Sequence, residues 1–417
     1  MPLRWGRFAV LLVLAVFAAA PNVLGQTVAV PNPSFEEGAD RPAGWTLQGG
    51  QGRWLGADAA DGAKAAVASG KGKSEGSSAW QSEPLPLAPG TVYRLRFQAR
   101  NLGARGGSAI SGPACCNRDL GQLPEKWTTY ESIFVTPRDL KPEDTRLRFG
   151  QWEATGEIAF DAVELAQAAP VYARSGDLVL GEGESIVGNE YTFQAPHHGE
   201  SRNQSRPLAW HNCNFNTDRW TFGAGSEVVY RHQIAGRRQT AAEVQVSVTW
   251  YAAGELVVDA SADGKAWQTL GTLSKVSGGA LKIPAAMLPA DEVWVRLRAQ
   301  PIAAGDEKKS KAASLQVGQY GYKATLAGEP LAMTGATRFV TVLKTDPRFD
   351  VTIEDLGEGL PGGRNVIAVK VRNKTSRPLY EKYNAWVSHA GLSQVLRGSS
   401  GCRQRFSGDS AGRRWPV

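Results

Sequence analysis

Strict alternation of apolar and polar residues in short runs is the feature that most constrains the fold of this chain. In the run TVYRLRFQAR, Tyr93, Leu95 and Phe97 fall on one face of an extended strand and arginines fall on the other. Similar runs recur along the sequence and are separated by Gly, Pro, Asp and Asn, whereas strongly periodic helices are missing. The pattern predicts an all-β fold of tandem antiparallel β-sandwiches, each sheet burying one face.

The chain has 417 residues, which exceeds what one hydrophobic core usually organises. After a predicted signal peptide at 1–25, breaks in the alternation predict a first β-sandwich at 26–168, a second β-sandwich at 172–328, a partial β segment at 329–396 and a disordered basic tail at 397–417. In the partial segment the run VIAVKVRNKTSRPL resembles an immunoglobulin-like strand. In the second sandwich the run AEVQVSVTWY places Val244, Val246, Val248 and Trp250 on one face. The third segment shows fewer strands than the roughly seven of a complete sandwich.

The first 25 residues have the organisation of a secretory signal. Arg4 and Arg7 precede the apolar run FAVLLVLAVFAAA, which is too short to span a bilayer, and Gly25 is a small residue suited to cleavage. The segment predicts a secreted, periplasmic or cell-surface protein without stable membrane insertion once the signal is removed. A retained amino-terminal anchor is the less favoured alternative.

The net charge of +7 does not indicate a nucleic-acid partner. Two of these charges lie in the signal segment, and a net four lie in the tail from Arg397 onward. The remaining body is nearly neutral and gives no basis for a phosphate-binding surface. We therefore expect no nucleic acid among the partners.

The cysteines are too few and too scattered to build a disulfide framework. One of the adjacent Cys115 and Cys116 could pair with Cys213 or Cys402, and the sequence does not choose between them. The spacing also gives little support to a zinc site.

A second group of possible metal ligands lies in the segment APHHGESRNQSRPLAWHNCNFNTDRW. It contains His197, His198, His211 and Cys213, but neither HExxH nor CxxC spacing. We interpret the segment as a polar loop, with a metal site or a binding loop at a sandwich rim as the alternatives.

Ordered motifs across residues 26–168 resemble the carbohydrate-binding modules of families four, nine and twenty-two. The motifs are NPSFEEG, PAGW, WQSEPLPLAPGTVY, RLRFQAR, KWTTYESIFVTP and GEIAFDAVEL. In the second unit, SADGKAWQTLG resembles the hairpin of discoidin-type (coagulation factor 5/8 type C) modules, which are galactose-binding-like jelly rolls. These resemblances imply a jelly-roll carbohydrate-binding module at 26–168, a second jelly-roll-like sandwich at 172–328, and binding of a polysaccharide or a cell-surface glycan.

The first resemblance also implies a structural calcium ion. In such modules the strand that starts at Phe35 lies beside the segment of Asp161, which brings Glu36 or Glu37 near that carboxylate. Oxygen ligands gathered in this way suit Ca²⁺. The alternative is that Asp161 is simply an exposed carboxylate.

Sugar recognition requires flat aromatic faces with amides, carboxylates or arginines beside them. The candidates in the first unit are Trp54, Trp80, Trp127, Tyr130 and Trp152, together with Gln151 and Arg53. Trp54 and Trp152 are the favoured platform residues because polar residues flank them, although burial in the core is the commoner fate of a tryptophan. Gln81 and Arg148 lie near these aromatic residues in sequence.

Catalytic motifs are missing from the sequence, including the nucleophile elbow, the phosphate-binding loop and the dinucleotide fingerprint. The sequence therefore predicts a secreted, non-catalytic polysaccharide-binding protein. A structural or adhesive surface protein is one alternative, and the non-catalytic front of a truncated glycoside hydrolase is another. An exposed tryptophan platform would favour the first interpretation over the second.

Overall fold

The computed structural model describes residues 27–199, 202–302, 312–342, 349–355, 367–373, 382–389 and 392–399. The predicted signal peptide, the chain beyond residue 399 and Cys402 lie outside the described residues. None of the helices within the described ranges has the length and apolarity needed to cross a bilayer.

The first unit is a sandwich of two antiparallel sheets. Its strands are β1 (Trp45–Gln48), β2 (Gln51–Leu55), β3 (Ala65–Lys71), β4 (Ser77–Ser82), β5 (Val92–Asn101), β6 (Ser108–Pro113), β7 (Cys116–Gly121), β8 (Thr128–Val135), β9 (Leu147–Trp152) and β10 (Thr155–Ser175). One sheet has the order β2-β3-β10-β5-β8 and the facing sheet has the order β1-β4-β9-β6-β7. A short 3-10 helix, Pro142–Thr145, precedes β9.

Aromatic rings fill the space between these two sheets. Phe97 of β5 lies 4.9 Å from Phe149 of β9, measured between ring centroids, and Phe149 lies 5.5 Å from Phe160 of β10. All three side chains are fully buried, as is Leu95. The alternation in the sequence therefore identified the buried face of β5, and the predicted all-β fold is confirmed.

The second unit is also built from two sheets. Its strands are β11 (Leu178–Leu180), β12 (Glu184–Gly188), β13 (Glu190–Gln194), β14 (Leu208–His211), β15 (Asn214–Asn216), β16 (Arg219–Gly223), β17 (Glu227–Gln233), β18 (Gln239–Ala253), β19 (Glu255–Ser261), β20 (Gln268–Leu273), β21 (Ser277–Lys282), β22 (Glu292–Gln300), β23 (Ser314–Leu326) and β24 (Leu331–Thr334). A 3-10 helix, Ala285–Met287, precedes β22. One sheet has the order β14-β17-β22-β19-β20. The other contains β15-β16-β23-β13-β12-β24, with β18 and β21 attached through β23.

The core of the second unit contains stacked rings. Tyr230 lies 3.9 Å from Tyr320 with the ring planes 7° apart, and His232 lies 3.7 Å from Tyr322 with the planes 2° apart. These four side chains join strands of both sheets, so ring stacking fixes the sheets against each other.

A parallel strand pair joins the two units into one continuous sheet. Strand β7 pairs with β15, with Cys116 opposite Phe215. The backbone N–H of Phe215 donates to the carbonyl of Cys115 at 2.9 Å, and that of Thr217 donates to the carbonyl of Asn117 at 2.8 Å. The sheet therefore runs from β1 of the first unit to β24 of the second without interruption.

The remaining described strands are β25 (Thr337–Val342), β26 (Phe349–Asp355), β27 (Ile367–Asn373), β28 (Lys382–His389) and β29 (Leu392–Ser399). Strand β25 pairs with the 168–172 part of β10, so it extends a sheet of the first unit. The predicted boundary between 168 and 172 falls inside β10, which continues to Ser175. The five-part division of the chain remains a prediction.

The cysteines in the described residues are buried free thiols, so the bridge to Cys213 that the sequence left open is not formed. Burial raises the pKa of the Cys116 thiol to about 12 and also raises the pKa values of Cys115 and Cys213. Such thiols are protonated and unreactive near neutral pH.

Candidate functional site

The sheet of strands β4, β9, β6 and β7 presents its second face away from the core of the first unit. Because side chains alternate along a strand, Leu147 and Phe149 of β9 point into the core and the residues between and after them point outward. This outer face carries an aromatic residue and polar residues from three strands: Gln81, Asn117, Asp119, Arg148 and Trp152.

Trp152 supplies an aromatic surface that is open to solvent. Its side chain is 49% exposed. Its strand neighbours are Ser77 on one side and Ser108 on the other, and neither side chain is large enough to cover an indole. The flat indole face is therefore available for stacking against an apolar surface.

Buried apolar residues lie beneath the outer face beside Trp152. Ala79, Ile110, Gly112 and Gly150 occupy adjacent positions on strands β4, β6 and β9 and are buried. A Cβ atom on Gly150 would lie 2.1 Å from the backbone oxygen of Ser78, so this position requires glycine. The accessible part of this face is therefore supplied by Trp152 and by the polar side chains.

The polar groups on this face are held by one another. The Arg148 guanidinium donates from Nη2 to Oδ1 of Asn117 at 3.2 Å, and Nδ2 of Asn117 donates to Oδ1 of Asp119 at 2.9 Å and to Oδ1 of Asn216 at 3.0 Å. Burial lowers the pKa of Arg148 from its usual value, although the guanidinium stays protonated near neutral pH. The network orients donors and acceptors before any ligand arrives, which reduces the ordering cost of binding.

Asn117 and Asp119 were not among the residues that the sequence indicated. They lie in CNRDLG, a run with little apolar character apart from Cys116 and Leu120. The usable signal was the alternation of Asn117 and Asp119 with Cys116 and Arg118.

Trp54 lies outside this face and has a structural role. Its Nε1 donates to the carbonyl of Phe35 at 2.6 Å, and the Lys64 ammonium lies 3.7 Å from the ring centroid. The polar edge and a ring face are therefore both engaged within the protein. The prediction that Trp54 is one of the favoured platform residues is wrong on this geometry.

Trp127 is engaged in the same way. Its Nε1 donates to the carbonyl of Asp58 at 3.0 Å, and the Arg100 guanidinium lies 4.9 Å from the ring centroid. Arg100 also forms an ion pair with the Asp58 carboxylate at 2.6 Å. Trp54 and Trp127 thus anchor the 56–64 loop to the sheet that contains β2 and β5.

Two other predicted contact residues are buried and cannot touch a surface ligand, so those predictions are wrong. Trp80 is 4% exposed, and its Nε1 donates to the carbonyl of Val67 at 2.9 Å. Gln151 is fully buried, and its Oε1 accepts a hydrogen bond from the N–H of Ala154 at 2.7 Å. Trp80 faces the core because it alternates with outward-facing Gln81 on β4. Gln151 faces the core because it alternates with outward-facing Trp152 and Arg148 on β9.

Tyr130 and Arg53 lie on the opposite sheet. Tyr130 stacks on Phe97 with a centroid distance of 5.7 Å, and burial raises its pKa. Arg53 forms a two-pronged ion pair with Glu157, with distances of 3.0 Å and 2.8 Å. Neither residue lies with Trp152, so the structure does not gather the predicted sugar contacts into one site.

The proposed calcium ligands do not fit a cation site. The Asp161 carboxylate accepts backbone N–H groups from Ala60, Asp61 and Ala162, and Oε1 of Glu36 accepts two further N–H groups at 2.8 Å and 2.7 Å. Burial raises the pKa of Asp161 to about 6, against the lowering effect of these N–H groups.

Glu37 is exposed, and among the described residues no group of three or more His, Cys, Asp or Glu side chains is arranged to hold a metal. The carboxylates of Glu36 and Asp161 instead hold the loop that contains Ala60 and Lys64. No part of the function is derived from calcium.

Three histidines of the second unit, His197, His211 and His232, pack as core residues, whereas His198 is exposed. The His197 ring meets the edges of Phe215 and Trp220 at 5.4 Å and 6.2 Å, and burial lowers its pKa to about 4. His211 lies 4.6 Å from Trp220, and burial lowers its pKa to about 4 as well. The interpretation of this segment as a metal site therefore has no support in the described residues.

A cavity of about 210 Å³ lies where the two units meet. Its wall includes Trp210, Arg138, Tyr172 and Gln204. The Arg138 guanidinium lies 3.4 Å from the ring centroid of Trp210, so this indole face is already occupied. The cavity is consequently a weaker candidate for stacking than the face that carries Trp152.

The structural role of Trp54 leads to a prediction that separates it from Trp152. Replacing Trp54 by Ala removes one hydrogen bond and one cation–π contact, and we expect a loss of about 2 kcal/mol in the free energy of unfolding. Replacing Trp152 by Ala removes an exposed ring, and we expect a change within about 0.5 kcal/mol. Urea denaturation of both variants measures the difference, and equal losses would contradict the assigned roles.

No family model and no curated protein matches this chain. Among solved structures, the N-terminal tandem CBM22-1-CBM22-2 domain of Xyn10C from Paenibacillus barcinonensis is 13% identical, with a TM-score of 0.29 over 74% of this chain and 99% of that one. A cyclase from Fischerella sp. TAU is 15% identical, with a TM-score of 0.27 over 34% of this chain and 98% of that one. The CBM22-1-GH10 modules of an endo-1,4-beta-D-xylanase 10B from Clostridium thermocellum are 12% identical, with a TM-score of 0.24 over 34% and 28%. Likenesses of this size do not decide the function, which is argued below from the geometry.

Proposed function

We propose that this chain is an exported, non-catalytic polysaccharide-binding protein that captures glycan on the outer face of β4, β9, β6 and β7. The observation that carries the proposal is the solvent-open ring of Trp152 on the same sheet face as the ordered side chains of Arg148 and Asn117. An exposed aromatic face surrounded by fixed hydrogen-bonding groups is the combination that a sugar ring requires.

The proposed mechanism is equilibrium capture without bond cleavage. The apolar C–H face of a pyranose stacks on the indole of Trp152, because the ring's electron-rich face attracts the weakly positive C–H groups. Arg148 and Gln81 lie four residues along the strands from Trp152, about 13 Å away, so they meet hydroxyl groups of another sugar of the same chain. Asn117 already holds the Arg148 guanidinium, so binding orders that side chain little further.

The charge on this face favours an uncharged glycan. Arg148 supplies one positive charge and Asp119 one negative charge, and both contact Asn117. The local charge therefore balances, which gives no preference for a phosphate-rich or carboxylate-rich polymer. A neutral chain of β-linked pyranoses, which exposes flat C–H faces, fits this surface best.

A structural or adhesive role is the second candidate, and one observation favours it. Strands β7 and β15 join the two units through backbone hydrogen bonds, a direct connection of the kind that a spacer would use. A structural role does not involve the exposed ring of Trp152, so a measurement of glycan binding distinguishes the two candidate functions.

The test is retention of the full chain on insoluble cellulose, xylan, mixed-linkage β-glucan and chitin. We expect retention on at least one of these polymers. The Trp152→Ala variant should bind about 30-fold more weakly, because truncation of a central aromatic contact usually costs about 2 kcal/mol or more. Depletion of the protein from solution at increasing polymer concentration gives the affinity.

Trp54→Ala is the matched control, since it removes the same side chain from the opposite sheet. It should retain the binding of the unmodified chain wherever it remains folded, as checked by circular dichroism. Addition of EDTA should leave retention unchanged. Failure of the unmodified chain to bind any of the four polymers would favour the structural role instead.

A further inference from the structure

Two tryptophans among the described residues have exposed side chains, and they lie in different units. Trp152 is 49% exposed and Trp250 of β18 is 46% exposed. Burial of a large aromatic ring is strongly favourable, so exposed rings that share one surface require a reason.

A bulge turns Trp250 outward. Val244, Val246 and Val248 alternate into the core of the second unit, and simple alternation would place Trp250 there as well. The register between β18 and β23 shifts after Val248, so that Trp250 lies opposite Gln316. Tyr251 packs against the core in its place. Bulges of this kind re-aim a side chain, and the prediction that Trp250 shares the face of the three valines is wrong.

The outer face is continuous between the two tryptophans. Asn117 of β7 lies beside Asn216 of β15, and their side chains are hydrogen-bonded at 3.0 Å. Asn216 lies opposite Arg219 of β16. Thr221, two residues further along β16, lies opposite Gln316 of β23. The alternate residues on these strands point the other way and are buried: Cys116, Phe215, Trp220 and Val317. Polar side chains thus cross both units on one side of a single sheet.

The dimensions and charge of this surface suit one extended polymer. Strand β18 lies six strands from β9, or about 29 Å at about 4.8 Å per strand, and the registers offset Trp250 from Trp152 by about six residues along the strands, so the two tryptophans are roughly 35 Å apart. Along this path Arg148 is balanced by Asp119, and Arg219 lies 3.4 Å from the carboxylate of Asp218. The surface therefore offers amides and hydroxyls with balanced charge, which matches a neutral glycan chain.

We infer that the glycan-binding surface extends across the β7–β15 junction to Trp250, so that a single polysaccharide chain stacks on Trp152 and Trp250 at once. This inference rests on the proposed function of the Trp152 face. Because both units belong to one continuous sheet, a chain bound at Trp152 reaches Trp250 without a separate loss of translational freedom. Short oligosaccharides occupy the Trp152 end alone, and long chains occupy both ends.

The test compares long and short ligands on the full chain. Affinity electrophoresis in soluble xylan, hydroxyethylcellulose, barley β-glucan and glycol chitin measures binding of the polymer. Titration with the corresponding trisaccharides, followed by tryptophan fluorescence, measures binding at one end. Trp250→Ala should weaken polymer binding about tenfold and leave trisaccharide binding unchanged. Gln316→Ala should act in the same direction with a smaller effect.

Val187→Ala is the matched control, because this exposed side chain belongs to β12 of the second unit, which pairs with β13 and β24 and not with the strands of the path. It should bind all ligands as the unmodified chain does.

Loss of both ligands in Trp152→Ala, with polymer binding unchanged in Trp250→Ala, would overturn the inference and leave the proposed function intact. No binding of any ligand by the unmodified chain would reject the proposed function and the inference together. Self-association of the chain that Trp250→Ala abolishes, measured by sedimentation without glycan, would also overturn the inference, since the face would then be a contact between copies.

Discussion

Replacing Arg206 by Leu is expected to lower the free energy of unfolding by about 3–5 kcal/mol. Arg206 forms a two-pronged ion pair with Glu184, with distances of 2.6 Å and 2.5 Å, and the Glu184 side chain is completely inaccessible to solvent. The same carboxylate accepts hydrogen bonds from the Tyr191 hydroxyl and the Gly181 N–H, each at 2.6 Å. Without Arg206 a buried negative charge would lose its cation, and neutral donors do not replace it.

Urea denaturation measures this loss, and two further variants identify its cause. Lys323→Leu removes an ion pair of similar length, 2.6 Å to Glu190, in which both side chains are about half exposed. Its cost should stay below about 1 kcal/mol, because water already solvates both charges. The double variant Arg206→Leu/Glu184→Leu should recover much of the stability, since no unpaired charge remains. A loss in Arg206→Leu no larger than that in Lys323→Leu would contradict this account.

The chain is expected to lose stability as the pH falls from about 6.5 to 4. Burial lowers the pKa values of His197 and His211 to about 4 and lowers that of His232 still further. In this interval the unfolded chain binds protons at histidine that the folded chain excludes, so acidification favours unfolding. His197 and His211 each destabilise the folded chain by about 3 kcal/mol once the pH is below their folded pKa.

One group acts in the opposite direction. Burial raises the pKa of Asp161 to about 6, so its contribution is present below about pH 4 and is lost as the pH rises through 6. Three histidines outweigh one aspartate, and the net effect is a loss of stability in acid. Melting temperatures between pH 7.5 and pH 4.5 measure it.

A pair of adjacent histidines provides the control for this prediction. His197→Phe should reduce the dependence of the melting temperature on pH, because it removes one buried group. His198→Phe should leave the dependence unchanged, because the His198 side chain is 78% exposed. A melting temperature that is constant or higher at pH 4.5 would show that buried neutral histidines do not control acid stability.

The sequence predicted the sandwiches better than their connection. Alternation identified the buried face of β5 because Leu95 and Phe97 are fully buried and polar side chains separate them. The β7–β15 pair could not be predicted, because β15 spans only Asn214–Asn216 and nothing in so short a run specifies a partner about a hundred residues away. Only the register of the folded chain places Cys116 opposite Phe215.

The candidate site was predicted in part. Polar flanking residues correctly indicated that Trp152 is exposed, but the same criterion failed for Trp54, because the contacts that engage its ring come from Lys64 and from the backbone of Phe35. Alternation also failed for Trp250, since a bulge is set by pairing with β23 and leaves no mark in the local pattern. Flanking polarity cannot distinguish an open ring from one that the protein itself covers.

The most direct test of the glycan-binding face is a crystal structure of the full chain with a hexasaccharide of whichever polysaccharide retains it. The account predicts one pyranose ring in van der Waals contact with the indole of Trp152, and hydrogen bonds between Arg148 or Gln81 and the hydroxyls of another sugar of the same hexasaccharide. A hexasaccharide bound instead in the cavity beside Trp210, or near Trp54 on the opposite sheet, would contradict it.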